Sequence, residues 1–422
     1  MPQAPSSDGP LKICLLGYRS QPFSGGQGIY LRYLSRALRD LGHEVTVISG
    51  EPYPMLDDGV ALIKMPGLNL FAEENSLYAF KKRYLREPIN FFEWWDHNSG
   101  GFPEPLTFSL RVARWFRETK PDFDVIHDNQ CLGRGLLDLE RQGYPVIATI
   151  HHPITVDRDI AIAAAPTRML RLLAKRWHMF LSMQIGVARK LKRIITVSES
   201  SKRDIARDFK VRPGRMAVIF NGIDTDMFTP RAGITRRTNR LMATSSADHP
   251  LKGLNYLIEA LGRLRETRPD LELLVIGAPK PGGQTEALIK KLNLEEAISF
   301  RHGVSADEIV DLYAEATVAV SPSVYEGFGL PAAEAMACEV PLVSSDGGAL
   351  PEVVGDAGIV VPKQNSQALA DAIGGLLDDE AERERLGKAG RARILSHFTW
   401  EQAARETLEQ YKEVMGHAHR SV

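Results

Sequence analysis

LKICLLG (11–17), YRSQPFSGGQGIYLRYLSRALRDLGH (18–43) and EVTVIS (44–49) follow one another without a break. The first is a short apolar run, and the second is a glycine-bearing loop that passes into a helix. Within that helix Leu31, Leu34, Leu38 and Leu41 recur at helical spacing, and Gly42 ends it before the third, strand-like run. Strand, glycine loop, helix and strand make a βαβ unit, which opens a parallel sheet.

The same alternation continues outward from this unit. DVIH (124–127), PVIATIH (145–151), RIITVS (193–198) and MAVIF (216–220) read as further strands with helical segments between most of them. A turn-rich stretch, NGIDTDMFTPRAGITRR (221–237), interrupts the pattern and reads as a hinge. The alternation then restarts: LMATSS, LELLVIG, ISFRHG, VAVSPS and VPLVSS are strands, each separated from the next by a helical pattern. TWEQAARETLEQYKEVM (399–415) is an amphipathic helix that follows the second sheet and is placed to return across the hinge. The expected organisation is α/β, with two Rossmann-like parallel-sheet domains, residues 1–225 and 226–398, facing across a cleft, and a terminal helix, 399–422, packed back on the first. Ligands of such sheets bind beyond the carboxyl ends of the strands.

Composition narrows the function. The 422 residues carry 52 Lys plus Arg against 53 Asp plus Glu, which excludes a nucleic-acid binder that relies on bulk positive charge. Cys14, Cys131 and Cys338 each lie in an apolar run with no C-x-x-C spacing, as expected of buried thiols in a reducing compartment. The polar first ten residues lack an export pattern, and no uncharged run is long enough to span a membrane. A cytoplasmic protein is expected, with contact at a membrane surface left open.

The chemistry concentrates in SPSVYEGFGLPAAE (321–334). A strand ends in Ser-Pro-Ser, Glu326 precedes a Gly-Phe-Gly turn, and a helix begins near Leu330. The glycines keep Glu326 in the loop while Glu334 lies on the helix, so two carboxylates flank a helix N-terminus. Unpaired amides and the helix dipole make such an N-terminus an anion site.

This segment resembles glycosyltransferase family 4, whose hallmark is E-x7-E within S-x-x-E-G-F-G-x-x-x-x-E-A-M-A. The resemblance implies that Glu326 contacts hydroxyls of the donor sugar, that the backbone of Gly327, Phe328, Gly329 and Leu330 holds sugar and phosphate, and that Glu334 binds the ribose. Lys252 and Gly253 match a family K-G pair whose lysine neutralises a diphosphate. Where the family usually has an arginine in a G-R context, this chain has Ser245, Ser246, Ala247, Asp248 and His249, with Ser246 expected near the donor. Gly347, Gly348 and Glu352 match G-G-x-x-E. The loop of Gly25, Gly26 and Gly28 corresponds to the family loop that reaches the pyrophosphate. His151 corresponds to a strand-end histidine facing the donor sugar, with His152 as the substitute. Asn221 and Asp224 match the hinge motif N-G-I-D-x-x-x-F, yet they serve equally as turn formers.

The family implies a nucleotide diphosphate (NDP)-sugar donor and retention at the anomeric carbon, with the acceptor attacking from the face that the diphosphate leaves. His151, Glu326 and Lys252 are the expected catalytic residues. No Asp-x-Asp pair stands at a strand end, so no metal and no cofactor are expected. A sugar phosphorylase, a nucleotide-sugar epimerase and a noncatalytic NDP-sugar-binding subunit share the fold and are the alternatives. A nicotinamide oxidoreductase lacks its G-x-G-x-x-G fingerprint here.

For the acceptor, a sugar, glycoside or lipid-linked sugar, the candidates are His127, Asp128, His152, Arg171 and Lys175. Between Asp159 and Glu199 no acidic residue occurs, while Arg168, Arg171, Lys175 and Arg176 are basic and Leu170, Leu173, Trp177 and Leu181 form an apolar stripe. Such a helix lies on an anionic membrane surface, grips an anionic acceptor, or packs on the sheet with a solvated basic face. The aromatic and glycine-rich NFFEWWDHNSGGF (90–102) is expected to be either a mobile flap over a sugar ring or a local hydrophobic plug.

Overall fold

A computed structural model of the protein describes residues 9–21, 26–245 and 247–419. The first sheet is built from β1 (Lys12–Gly17), β2 (Glu44–Ser49), β3 (Ala61–Lys64), β4 (Val125–Asn129), β5 (Val146–Ile150), β6 (Ile194–Thr196) and β7 (Met216–Val218). Their order across the sheet is β3-β2-β1-β4-β5-β6-β7, and every pairing is parallel. The second sheet takes β8 (Arg240–Thr244), β9 (Glu272–Ile276), β10 (Ile298–Arg301), β11 (Val318–Ser321), β12 (Leu342–Ser345) and β13 (Ile359–Val361), in the order β10-β9-β8-β11-β12-β13 and again all parallel. In both, the order reverses beside the first strand of the sheet, between β1 and β4 and between β8 and β11. That reversal is the topological switch point of a doubly wound fold.

The central strands are continuous apolar runs because helices cover both of their faces. In the first unit, Leu16, Ile126, Ala148 and Ile150 pack with Val112 and Phe116 of the helix Glu104–Thr119 on one face. On the other, Ile13, Leu15, Val47 and Ile147 pack with Leu31, Leu34 and Leu38 of the helix Gly26–Asp40, and with the helix Trp400–His419. The second unit buries Leu241, Leu273, Val318 and Val343 under Leu257, Leu261 and Leu369.

The final helix belongs to the first unit. Chain contacts divide the molecule into one unit that runs to Val197 and adds Ser201–Phe220 and the segment from Trp400 onward, and a second made of Ser198–Ser200 and Asn221–Thr399. The change-over at Phe220 falls five residues before the expected boundary at 225. Trp400 stacks on Tyr33 at 5.7 Å between centroids, and the fully buried Tyr411 hydroxyl meets His127 Nδ1 at 2.7 Å.

Three features differ from the expectations above or add to them. Most of the 90–102 stretch is helical: Pro88–Asn98 forms a helix, fixed by the buried Glu93 and Asp96, with Trp94 Nε1 donating to Ser76 O at 3.1 Å, while Phe102 stacks on Trp177 at 5.1 Å as a hydrophobic plug does. The edge strands β3 and β13, and the helices Ser366–Asp378 and Glu380–His397, complete the layers where the sequence pattern gave no clear element. All three cysteines are buried and free.

Replacing Tyr411 with alanine opens a large cavity under the first sheet and leaves a buried imidazole nitrogen without its partner. Tyr411→Ala should lose about 3–5 kcal/mol of stability in equilibrium denaturation, as for other large-to-small core changes. A loss under about 1 kcal/mol contradicts the packing described.

Candidate active site

The second unit gathers its chemistry at the β8/β11 switch point. The loop after β8 ends in a short 3-10 turn, Pro250–Lys252, and the loop after β11 carries Pro322–Gly329. The two are sewn together through the backbone: Val324 N donates to Leu251 O at 2.8 Å, and a Cβ on Gly253 would lie 2.1 Å from Pro322 O. Gly253 also has φ 61°, a left-handed value that favours glycine. This close approach brings Lys252 Nζ to 2.8 Å from Glu326 Oε1, which also accepts from Ser323 Oγ at 2.8 Å. Gly347 and Gly348, after β12, press on the same loop from the other side. Cβ atoms there would meet Ser323 O and Glu326 O at 2.2 Å each, and Ala349 N donates to Glu326 O at 2.9 Å.

Gly329, at φ 103° and ψ 52°, turns this loop into the helix Leu330–Ala337, whose start carries no side-chain cap. An uncapped start leaves amides for an external acceptor of hydrogen bonds. The turn is anchored by Phe328, buried edge-on against Phe398 at 5.7 Å, and by Gly327 O, which accepts from Ser198 Oγ at 2.9 Å. Glu334 lies one turn along the helix, half-buried near Tyr313 and Cys338. Burial lifts its carboxyl to about 7, and among the described residues no side chain donates to it. A desolvated carboxylate without a donor is costly to keep ionised.

Glu352 acts by positioning, since its two oxygens accept from the amides of Glu199 and Ser200 at 2.8 and 2.7 Å. Asp248 accepts from the amides of Lys280 and Thr285, at 2.7 and 2.8 Å, and so fastens the β8 loop to the segment after β9. Asp224 is buried, with Phe228 N donating to its backbone oxygen and Met227 N to its side chain, as a turn former does.

The first unit has its own cluster at the β1/β4 switch point. Gly28, in the first turn of its helix, leaves no room for a side chain, since a Cβ would lie 2.0 Å from Gln21 O. Gly26 begins that helix. Asn129 Nδ2 donates to Gln27 O at 3.0 Å, so its Oδ1 faces His151 Nε2 at 2.7 Å. An amide oxygen only accepts, which places the proton on Nε2 and leaves Nδ1 as the free acceptor. The edge of Tyr30 packs on this ring at 4.8 Å, and burial, with the neighbouring His152 and His127, depresses His151 to about 3. His151 is therefore a neutral hydrogen-bonding group at pH 7 and not a cation. Asn129 is a site residue that no sequence motif marked.

Several expected residues stand elsewhere. His127 is corrected from an acceptor ligand to a core residue: its Nδ1 meets Tyr411 and its Nε2 meets Thr149 Oγ1 at 2.7 Å each, and burial drives it to about 3. Asp128 is fully buried, accepts from Leu132 N at 2.9 Å, and rises to about 7 through desolvation, so it too is a core group. His152 pairs with Asp157 at 3.2 Å. Arg171 and Lys175 lie on Arg168–Trp177, a helix without a single buried residue, and Leu170 and Leu173 of the expected stripe are exposed while Leu181 is buried. Gly25 and Ser246 lie outside the described residues. Among the described residues no helix is long and apolar enough to cross a membrane, and no group of three His, Cys, Asp or Glu gathers as metal ligands do.

Two family models match the chain: Glycosyltransferase Family 4 over residues 24–227 and Glycosyl transferases group 1 over 231–393. The MMP alpha-(1->4)-mannosyltransferase of Mycolicibacterium hassiacum is 45% identical over 411 residues, covering 96% of this chain and 98% of that protein. The chain is a family 4 glycosyltransferase. Among solved structures, the sucrose-phosphate synthase of Thermosynechococcus elongatus superposes with a TM-score of 0.71 at 23% identity, covering 96% of this chain and 99% of that one. Anabaena HepE, solved with UDP-glucose, gives 0.68 at 17%, covering 96% and 100%. At these identities the two structures bear on the fold, which is that of the GT-B glycosyltransferases.

In this glycosyltransferase the carboxyl of Glu334 links stability to pH. Its folded pKa, about 7, stands above its ordinary value, so its contribution is fully present below about pH 4.5 and is lost as pH rises through about 7. The glycosyltransferase carrying Glu334→Gln should gain on the order of 2 kcal/mol over the wild type at pH 8, with the difference vanishing near pH 4.5. Thermal denaturation across that range checks it, and a difference independent of pH counts against the desolvated carboxylate.

Proposed function

We propose that this glycosyltransferase moves a mannosyl group from a nucleoside-diphosphate mannose to the 4-hydroxyl of a mannoside, with retention and without a metal ion. The observation that carries the donor half is the Lys252–Glu326 pair, held at a switch point beside an uncapped helix start. The sugar and linkage are supported by the activity for which the relative from Mycolicibacterium hassiacum is named, a protein 45% identical over almost its whole length.

In this reading the arriving diphosphate draws Lys252 from Glu326, and the amides at Gly327–Leu330 take the remaining phosphate charge. Glu326, released from its cation, accepts hydroxyls of the mannosyl group, while Glu334 accepts both hydroxyls of the ribose. The acceptor oxygen bonds to the anomeric carbon as the bond from that carbon to the diphosphate breaks. The acceptor's proton passes to the departing phosphate oxygen on the same face, so an α-linked donor gives an α-linked product. Stabilising that departing oxygen is the central catalytic demand, and prearranged donors commonly supply the largest share of such catalysis. His151, neutral with a free Nδ1, offers a hydrogen bond to a sugar hydroxyl. It takes no part as a general base, because it stays unprotonated down to about pH 3 and has little basicity to offer.

A panel of GDP-, UDP-, ADP- and dTDP-linked hexoses, followed for slow hydrolysis and for transfer to methyl mannosides, tests this reading. One mannose donor should be consumed, and the product should carry an α-(1→4) bond. Lys252→Met should lower turnover by about 100-fold or more, the scale of losing one donor to a developing oxyanion. Excess EDTA should leave turnover within about twofold. Consumption of no nucleotide-sugar, or an EDTA-dependent loss, overturns the corresponding part.

A further inference from the structure

Two amide side chains from the end of β4 hold His151 from opposite sides, one on its peptide and one on its ring. Asn129 is 2% exposed and Gln130 3%, so water cannot stand in for a partner that either one loses. Gln130 takes the peptide: its Oε1 accepts from His151 N at 2.7 Å, and its Nε2 donates to His152 O at 3.0 Å. Ser201 Oγ donates to His151 O at 2.8 Å and completes the grip on that backbone. Gln130 reaches this position with a left-handed φ of 55°, a conformation that costs energy in any residue with a side chain and that clusters at functional sites. Gln184 Nε2 anchors the turn, donating to Gln130 O at 3.2 Å and to Cys131 O at 3.1 Å. With the peptide fixed, the freedom left to His151 is that of its ring and of the proton the ring carries.

Asn129 removes that freedom, because its own amide has one workable orientation. Nδ2 donates to Gln27 O at 3.0 Å. A backbone carbonyl cannot donate, so an amide turned over would set oxygen against oxygen at Gln27. Oδ1 is thereby committed to His151 Nε2, at 2.7 Å, and the proton of the neutral ring must sit on that nitrogen. The edge of Tyr30, 4.8 Å away between centroids, limits rotation of the ring. His127 is the contrasting case. Its two nitrogens meet the hydroxyls of Tyr411 and Thr149, which donate or accept as required, so neither partner dictates its tautomer. Of these two histidines, the one at the strand end has its polarity set by a main-chain oxygen.

We propose that Asn129 is a positioning residue for sugar transfer, which passes the polarity of the Gln27 carbonyl through its amide to His151, so that Nδ1 meets the sugar only as an acceptor of a hydrogen bond. The inference rests on the mannosyl-transfer reading above, in which that nitrogen faces a sugar hydroxyl. A hydroxyl that donates to Nδ1 gains electron density on its oxygen, which favours the positive charge that builds on the sugar ring as the diphosphate leaves. The opposite tautomer would present an N–H, draw density away and oppose that charge.

Ring-nitrogen NMR spectra of the full chain labelled in histidine, recorded without ligand at about pH 8 where a neutral imidazole is expected, read the tautomer directly. The His151 signals are those lost in His151→Asn. The wild type should show a protonated Nε2 and a bare Nδ1. Asn129→Leu, similar in size but without hydrogen bonds, should move a large fraction of His151 to the Nδ1–H form and lower kcat by about tenfold, the scale of one misdirected hydrogen bond, with the donor KM within about twofold. Asn129→Asp keeps an acceptor opposite Nε2, so it should keep the wild-type tautomer and recover most of the turnover. Near-wild-type melting identifies a folded variant, and the wild-type spectrum serves where the variants at 129 do not fold. A mixed tautomer in the wild type overturns the proposal, as does an unchanged tautomer or an unchanged kcat in Asn129→Leu. A wild type that consumes no nucleotide-sugar overturns the mannosyl-transfer reading and the effect on kcat with it, while the spectrum still decides whether Asn129 fixes the ring.

Discussion

The second unit depends on the close approach of two loops at the carboxyl ends of β8 and β11. Gly253 and Gly348 have left-handed backbones, and together with Gly347 they let three chain segments come closer than any side chain permits. That approach sets Lys252 on Glu326 and aims the helix Leu330–Ala337 into the same space. The ion pair follows from the backbone geometry and is not its cause, since a partly exposed pair of this kind contributes little stability by itself. Under the proposed function its value is chemical: it keeps a cation and a carboxylate, which need each other only while no ligand is bound, at the place where the diphosphate is proposed to arrive.

Much of this was legible in the sequence because parallel strands at the centre of a sheet are buried on both faces. β1, β4, β5, β8, β9, β11 and β12 announce themselves as apolar runs of the right length. β3 and β13 do not, since they are short edge strands of half-exposed residues such as Leu62, Ile63 and Ile359. Gly329 was legible for a similar reason, as its left-handed turn leaves few alternatives to glycine. Asn129 was not, because a buried amide between His127 and Gln130 carries no periodic signal. His127 and Asp128 illustrate the reverse error. A polar residue at a strand end invites a ligand role, but the sequence holds no trace that Tyr411, 284 positions later, closes over the histidine.

The aromatic stretch near Trp94 shows how composition misleads when partners are distant. Aromatic and glycine content left a flap and a hydrophobic plug equally open, whereas Glu93, Asp96 and Trp94 each meet a partner from another segment and fix the helix in place.

Catalysis as described here requires that Lys252 exchange Glu326 for a diphosphate. A crystal structure of the chain with a non-hydrolysable nucleoside-diphosphate sugar tests that exchange directly. Lys252 Nζ is expected within hydrogen-bond distance of a phosphate oxygen, with the amides near Gly327–Leu330 on the same group and the ribose on Glu334. A diphosphate bound elsewhere, with Lys252 still on Glu326, contradicts it.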